Sequence, residues 1–362
     1  MRKALSAGLV VLVWAVLIDI LSAYALFYYF QLRGYDSPKT VYGVDGRAPS
    51  IALFNKLRSI FAHRFPEIAG SDCRSHDRHG PLYRSDPVFG YVISTGFHEI
   101  IQCPLDRGLD KSYRWSFFIE DDGARRAGYR SPGDKPRVYL FGDSWIFGWA
   151  LNDEQTAAWL LQDYFYGSLA IRNLSFPGGG SIQELIYFRQ LAAGLGPQDT
   201  LVLGYADYYK ERNVAAPSRL AAEAAFTAYH GVRTLKHLRA RLADERVVVD
   251  FVPMDCGKPI DYCAQPDPAP QVMDEVTIAI YKEIVENSKA RVAILFHSGS
   301  DDDPVVRYFR RAKVPIIDVR PEKAKFFTND SVRGYDNHPG PVAHFAYYTA
   351  IREFIEPNRP RP

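Results

Sequence analysis

From residue 136 onward, apolar runs of four to six residues alternate with helix-length amphipathic segments. RVYLFG (137–142), SLAIRNLSF (168–176), DTLVLGY (199–205), RVAILFH (291–297) and VPIIDV (314–319) read as strands. DEQTAAWLLQDYF (153–165) carries Ala158, Leu161 and Phe165 at helical spacing, SIQELIYFRQLAAG (181–194) is a helix ended by glycine, and VAHFAYYTAIREFI (342–355) is a final helix. Strands alternating with helices predict an α/β fold, a three-layer sandwich around a mainly parallel five-stranded sheet. Ligands in such sheets bind beyond the carboxyl ends of the strands. Ser144, Gly178 to Gly180 and Asp207 fall just after predicted strands and are expected at that edge.

Three stretches break the pattern. Residues 1–30 open with MRK, followed by some 27 apolar residues with Asp19 as the one charge. That length spans a bilayer core. The positive flank puts the remainder outside the cytoplasm, and Tyr24, Tyr28, Tyr29 and Phe30 fall at an aromatic belt. The expectation is a single-pass anchor in the inner membrane with a periplasmic or extracellular domain. The alternative is secretion after cleavage of a signal peptide near Ala23-Tyr24-Ala25. Residues 31–135 read as short strands and turns that form an extension packed on a main domain at 136–356. Residues 208–290 read as an insertion near the site, a lid in one reading, with an Ala/Arg-rich helical stretch, a VVVDFV strand and the loop CGKPIDYC.

A formal charge of +2, with no long basic run, gives nucleic acid no support as a partner. In an exported chain the four cysteines permit two bridges, most simply Cys73–Cys103 and Cys256–Cys263; four thiols is the alternative. No CxxC pair or histidine cluster points to a metal.

The candidate chemistry starts at Gly142-Asp143-Ser144, where a hydroxyl sits on the turn after the first strand of the main domain. Ser144 is either a helix N-cap or a nucleophile at a helix N-terminus, where backbone N–H groups favour developing negative charge. A nucleophilic serine needs a base and the base an orienting group. YDNHPGP near the end of the chain supplies Asp336 and His338 on one Pro/Gly-rich loop, whereas His344 reads as a helix-packing histidine. FPGGGSIQE (176–184) offers glycine amides for an oxyanion; a flexible strand-to-helix turn is the plain alternative.

The four stretches FGDSWIFGWALNDEQT, NLSFPGGGSIQE, LVLGYADYYKERN and YDNHPGPVAHFAYYTAI, in this order and strand-helix context, resemble the SGNH (GDSL-like) hydrolase superfamily over roughly 136–355, in its membrane-anchored bacterial envelope form. The resemblance implies Ser144 as nucleophile, His338 as general base and Asp336 as its partner. It also implies an oxyanion hole from the Ser144 N–H and a glycine of the second stretch, Gly179, with Asp143, Gly180 and Asp207 lining the site. Such an enzyme needs no cofactor. Where the family has Gly-x-Asn-Asp in the third stretch, this chain has Gly204-Tyr205-Ala206-Asp207, so Ala206 cannot donate; Asn213 is the nearby candidate replacement. The function so implied is a serine esterase acting outside the cytoplasm on an ester: an O-acetylated envelope glycan or exopolysaccharide, or a lipid ester. The alternatives are an O-acyltransferase with the same triad and a catalytically silent glycan-binding or assembly protein.

Overall fold

The computed structural model describes residues 76–102, 113–131, 133–220, 236–253, 262–321 and 338–358. The N-terminal part of these residues is built from β1 (His76–Asp77), β2 (Tyr83–Asp86), β3 (Gly90–Ile93), β4 (Gly96–Gln102) and β5 (Tyr113–Ile119). They form an antiparallel sheet in the order β1-β4-β5 and a β2–β3 hairpin. Along β5 the inward side is Trp115, Phe117 and Ile119, an alternation that buries one face of the ladder.

The main domain begins with β6 (Arg137–Leu140), α1 (Ser144–Phe147), α2 (Ala157–Tyr164), β7 (Ala170–Asn173), α3 (Ser181–Leu191), β8 (Thr200–Ala206) and α4 (Tyr209–Asn213). It continues with β9 (Lys236–Ala243), β10 (Arg246–Pro253), α5 (Pro270–Asn287), β11 (Arg291–Ser298), α6 (Pro304–Arg311), β12 (Ile316–Asp318) and α7 (Pro341–Ile355). The central sheet has five strands in the order β12-β11-β8-β6-β7, all parallel.

Alternation along the strands sorts side chains onto two faces. Val138, Leu140, Val202, Ala293 and Leu295 meet Ala158 and Leu161 of α2 and Tyr347 and Ile351 of α7. Tyr139, Phe141, Leu203, Tyr205, Ile294 and Phe296 meet Leu185 of α3, Ile280 and Ile284 of α5 and Phe309 of α6. Helices on both faces make the expected three-layer sandwich.

One expected boundary moves. The stretch read as an insertion over 208–290 contains α5, an 18-residue helix that carries the crossover from β8 to its parallel neighbour β11. Parallel neighbours need such a crossover. Val276, Ile280 and Ile284 recur every four residues and are buried. The departure from strand-helix alternation is therefore the β9–β10 hairpin, paired residue for residue from Lys236↔Pro253 to Ala243↔Arg246. Leu238, Ala240, Val247 and Val252 of that hairpin enter the same core as the sheet, so its described part is a fixed layer rather than a lid. It also meets the N-terminal hairpin: a Cβ at Gly90 would lie 2.1 Å from the Lys236 carbonyl oxygen.

The N-terminal strands share a core with the central sheet through Trp115, Phe117 and Ile119. Arg125 forms an antiparallel bridge to Asn173 and so covers the open edge of β7. The expected anchor at 1–30 lies outside the described residues; among those described, no helix is long and apolar enough to cross a membrane.

Candidate active site

The carboxyl end of β6 runs through Leu140 and Phe141 into Gly142, whose φ of +151° and closeness to Ile146 leave no room for a side chain. Asp143 caps the next turn, its carboxylate accepting from the Trp145 N–H at 2.9 Å. Gly148, in the left-handed region at φ 88°, closes the turn with its N–H on the Ser144 carbonyl. Ser144 is thus the first residue of a one-turn helix. It is 7% exposed, and its N–H has no hydrogen-bond partner among the described residues.

His338 enters from the loop before α7. Its Nε2 lies 2.8 Å from Ser144 Oγ, a contact across 194 residues of sequence. For the hydroxyl to donate here, Nε2 is the bare ring nitrogen and Nδ1 carries the proton. The Trp149 ring lies 6.3 Å from the imidazole, centroid to centroid. Asp336, expected as the orienting carboxylate, lies outside the described residues. His344 stands apart: buried, it accepts from the Ala157 N–H at Nδ1, 3.1 Å away. Burial and the Arg125 charge push it down to about 3, so it stays neutral in packing.

The expected oxyanion donors are placed differently. The Gly179 N–H is taken by the Phe176 carbonyl at 2.8 Å, which closes the turn, so it does not face an incoming oxyanion. The Gly180 N–H goes to Gln183 Oε1 at 2.8 Å as α3 begins. Of the three glycines, Gly178 (φ 81°) keeps an amide without a partner among the described residues. Asn213 is fully buried. Its Oδ1 accepts from the Ile182 N–H at 3.0 Å and its Nδ2 donates to Thr277 Oγ1 at 2.9 Å, so it ties α3 to α5 rather than replacing the absent asparagine. Asp207 is exposed, and its carboxylate accepts from the Tyr208 N–H and Ser298 Oγ, at 3.0 and 3.3 Å.

Beneath the serine turn, Asp143, expected to line the site, is fully buried among Tyr208, Arg212 and His297, to which the sequence pattern gave no role. Asp143 Oδ2 accepts from the Tyr208 hydroxyl at 2.6 Å and from Arg212 at 3.1 Å. Arg212 also donates to the Gly179 carbonyl at 2.6 Å. His297 Nε2 is 3.9 Å from Asp143 Oδ1, with the Trp145 ring 5.3 Å away. Burial opposes charge on Asp143, but His297, Arg212 and the two hydrogen bonds outweigh it and hold the carboxyl below its usual range. Burial pushes His297 itself down, against the pull of the Asp143 charge. Burial pushes the Glu184 carboxyl well up, and its Oε1 accepts from the Gly204 N–H at 3.0 Å. A legible clue was the charged stretch Lys210-Glu211-Arg212, set directly after the third strand where the sheet edge binds.

Arg125 reaches the same turn from the N-terminal part. Fully buried, it donates to the carbonyls of Phe147, Gly148 and Leu151 at 3.0, 2.6 and 2.6 Å and pairs with Asp153 at 2.8 Å. It thereby caps the carboxyl end of the helix that Ser144 begins.

Cys263 is disulfide-bonded; Cys73, Cys103 and Cys256 lie outside the described residues, so its partner does too. Among the described residues no group of His, Cys, Asp or Glu side chains is placed to hold a metal ion.

No family model matches the chain, and no curated protein matches it either. Solved structures do. TesA is 13% identical, with 61% of this chain and 98% of that one covered at a TM-score of 0.37. A member of the lipolytic G-D-S-L family from Veillonella parvula is 11% identical, covering 62% and 99% at 0.36. A carbohydrate esterase family 2 enzyme with a carbohydrate-binding domain, from Corynascus thermopiles, is 15% identical, covering 72% and 84% at 0.36. Likenesses at this level carry no functional conclusion, and the case for an activity rests on the motifs and geometry of this chain.

Proposed function

We propose that this chain is a serine-dependent, ester-cleaving enzyme of the SGNH type. The observation that carries the reading is the 2.8 Å hydrogen bond between His338 Nε2 and Ser144 Oγ, at the carboxyl edge of a parallel sheet. His338 takes the Ser144 proton as Oγ attacks an ester carbonyl carbon. The tetrahedral oxyanion forms against the unpartnered Ser144 N–H, with the Gly178 amide as the candidate second donor. Collapse expels the alcohol, which leaves with the proton from His338, and water then releases the acid from Ser144. Asp336 orients the imidazole and stabilises its cationic form.

The substrate class is an acylated hydroxyl compound, in the narrower reading an O-acetylated glycan outside the cytoplasm, with residues 1–30 as membrane anchor. A cavity of about 190 Å³ lined by Ser175, Phe176 and Pro177 with Arg84, Asp86 and Asp121 adjoins the glycine turn, but neither Ser144 nor His338 lines it. Transfer to a sugar hydroxyl in place of water uses the same dyad.

The test is p-nitrophenyl acetate turnover together with covalent labelling by a fluorophosphonate, on wild type and Ser144→Ala. Labelling and turnover lost in the variant are the expected result. Equal behaviour of the two proteins removes Ser144 as the nucleophile. Adding a glycan acceptor then separates transfer from hydrolysis by the product formed.

A further inference from the structure

The serine turn and the glycine turn follow different strands, β6 and β7, yet a single side chain joins them. Arg212, on α4 after β8, donates to the Gly179 carbonyl at 2.6 Å and to Asp143 Oδ2 at 3.1 Å. Asp143 in turn accepts the Trp145 N–H and so caps the helix headed by Ser144. The guanidinium lies 4.6 Å from the Tyr208 ring, whose hydroxyl donates to the same carboxylate oxygen at 2.6 Å. A continuous chain therefore runs from the Gly179 carbonyl through Arg212 and Asp143 to the backbone of the serine turn. Its middle link, Arg212, follows the strand end where Ala206 offers no side-chain donor.

The physical need is clear. Oxyanion stabilisation comes from preorganised donors, and a backbone amide is only as well aimed as the turn that carries it. Here the Ser144 and Gly178 amides, neither with a hydrogen-bond partner among the described residues, sit on two turns with no covalent link shorter than a strand and a helix. Both Arg212 bonds leave one nitrogen, Nη1, whose two N–H directions are held in the guanidinium plane and so fix the separation of the turns; the ammonium of a lysine, with rotatable donors, does not hold those directions. The guanidinium charge also offsets the Asp143 carboxylate, an anion one residue from a site where a second negative charge must form.

We propose that Arg212 is a positioning residue for ester cleavage: it clamps the glycine turn to the cap of the serine turn and so sets the oxyanion donors in place. This rests on Ser144 being the nucleophile. The clamp acts in the transition state, so its loss lowers kcat and leaves KM in place.

The experiment uses the full chain in detergent micelles. Ser144 labelling by a fluorophosphonate and p-nitrophenyl acetate kinetics are measured for wild type, Arg212→Lys and the double variant Arg212→Met/Asp143→Asn. The lysine variant keeps the charge but not the fixed N–H directions of Nη1. The double variant removes both charges, so neither is orphaned in the interior. With near-UV circular dichroism unchanged, both are expected to lose ~10²-fold in kcat and labelling rate at constant KM, the scale of a misplaced reacting group. Wild-type kcat and labelling rate in either folded variant overturn the clamp. So does a loss that appears only as raised KM or only with unfolding, since both mark a structural role. Failure of wild type itself to label at Ser144 fells the nucleophile reading first and the clamp with it, which distinguishes the two failures.

Discussion

The Arg125 guanidinium lies 2.8 Å from the Asp153 carboxylate, and with this pair the N-terminal part holds the turn that carries Ser144. Asp153 in turn accepts from the Phe118 N–H of β5 at 2.9 Å. The contacts run in both directions, so the extension and the serine turn stabilise each other.

Arg125→Met is expected to cost about 3–5 kcal/mol, because it leaves three carbonyls and a largely buried carboxylate without their donor. Urea unfolding followed by tryptophan fluorescence measures this. A loss below about 1 kcal/mol contradicts the role assigned to the pair. A fragment that starts at residue 136 lacks the same interactions and is expected to expose the β7 edge and aggregate.

Gly142→Ala places a Cβ 2.3 Å from Ile146 Cδ1 at a φ of +151°. The side chain and the helix it belongs to must shift. A destabilisation of about 1–3 kcal/mol is expected, together with slower labelling of Ser144. Thermal melts and labelling rates read the two effects separately, and unchanged labelling would show that the serine turn does not depend on this glycine.

His344 sets a pH dependence of stability. Its folded value is held down to about 3 by burial and the Arg125 charge, below the ordinary 6.5 of the unfolded chain. Between these values the unfolded state binds the extra proton, so stability rises with pH. The contribution is complete above about 6.5 and falls as pH drops toward about 3, by at most ~1.4 kcal/mol per unit. His344→Gln should flatten the acid side of the stability curve measured by denaturant unfolding. An equal slope in both proteins assigns the acid sensitivity elsewhere.

Cys263 is bridged, and we expect Cys256 as its partner. Peptide mass mapping without reductant should yield a linked 256/263 pair that splits on reduction. A loop of this length stabilises by ~2–3 kcal/mol, so reductant should lower the melting temperature. A cross-link from Cys263 to Cys73 or Cys103 overturns the pairing.

The parallel sheet was readable because its strands are short apolar runs with helical periods between them, and each side chain's face follows from alternation. Val138 and Leu140 against Tyr139 and Phe141 show this directly. Helix α5 was equally periodic, with Val276, Ile280 and Ile284 in step, but it follows a hairpin and a cysteine loop and was absorbed into the insertion. The contact of Ser144 with His338 could be anticipated because each stands on a turn next to its own element. What a sequence does not display is how backbone amides are spent. Gly179 looked like a donor, yet its N–H closes its own turn; Asn213 looked like a replacement, yet it ties two helices together. Arg125 and Arg212 were missed for a related reason. Both act on carbonyl oxygens of distant turns, and such partners leave no mark in the residue types.

The Ser144–His338 contact spans 194 residues. A ribosome adding ~5–20 residues per second needs on the order of 10–40 s to deliver the second partner after the first. Throughout that interval the hydroxyl is an ordinary alcohol with no base beside it. Between its two ends the chain must also supply β7, β8, β11 and β12, so the imidazole arrives after the strands of the sheet that aligns it. Reactivity is thus the last property the nascent molecule acquires, and a chain halted midway carries the nucleophile harmlessly.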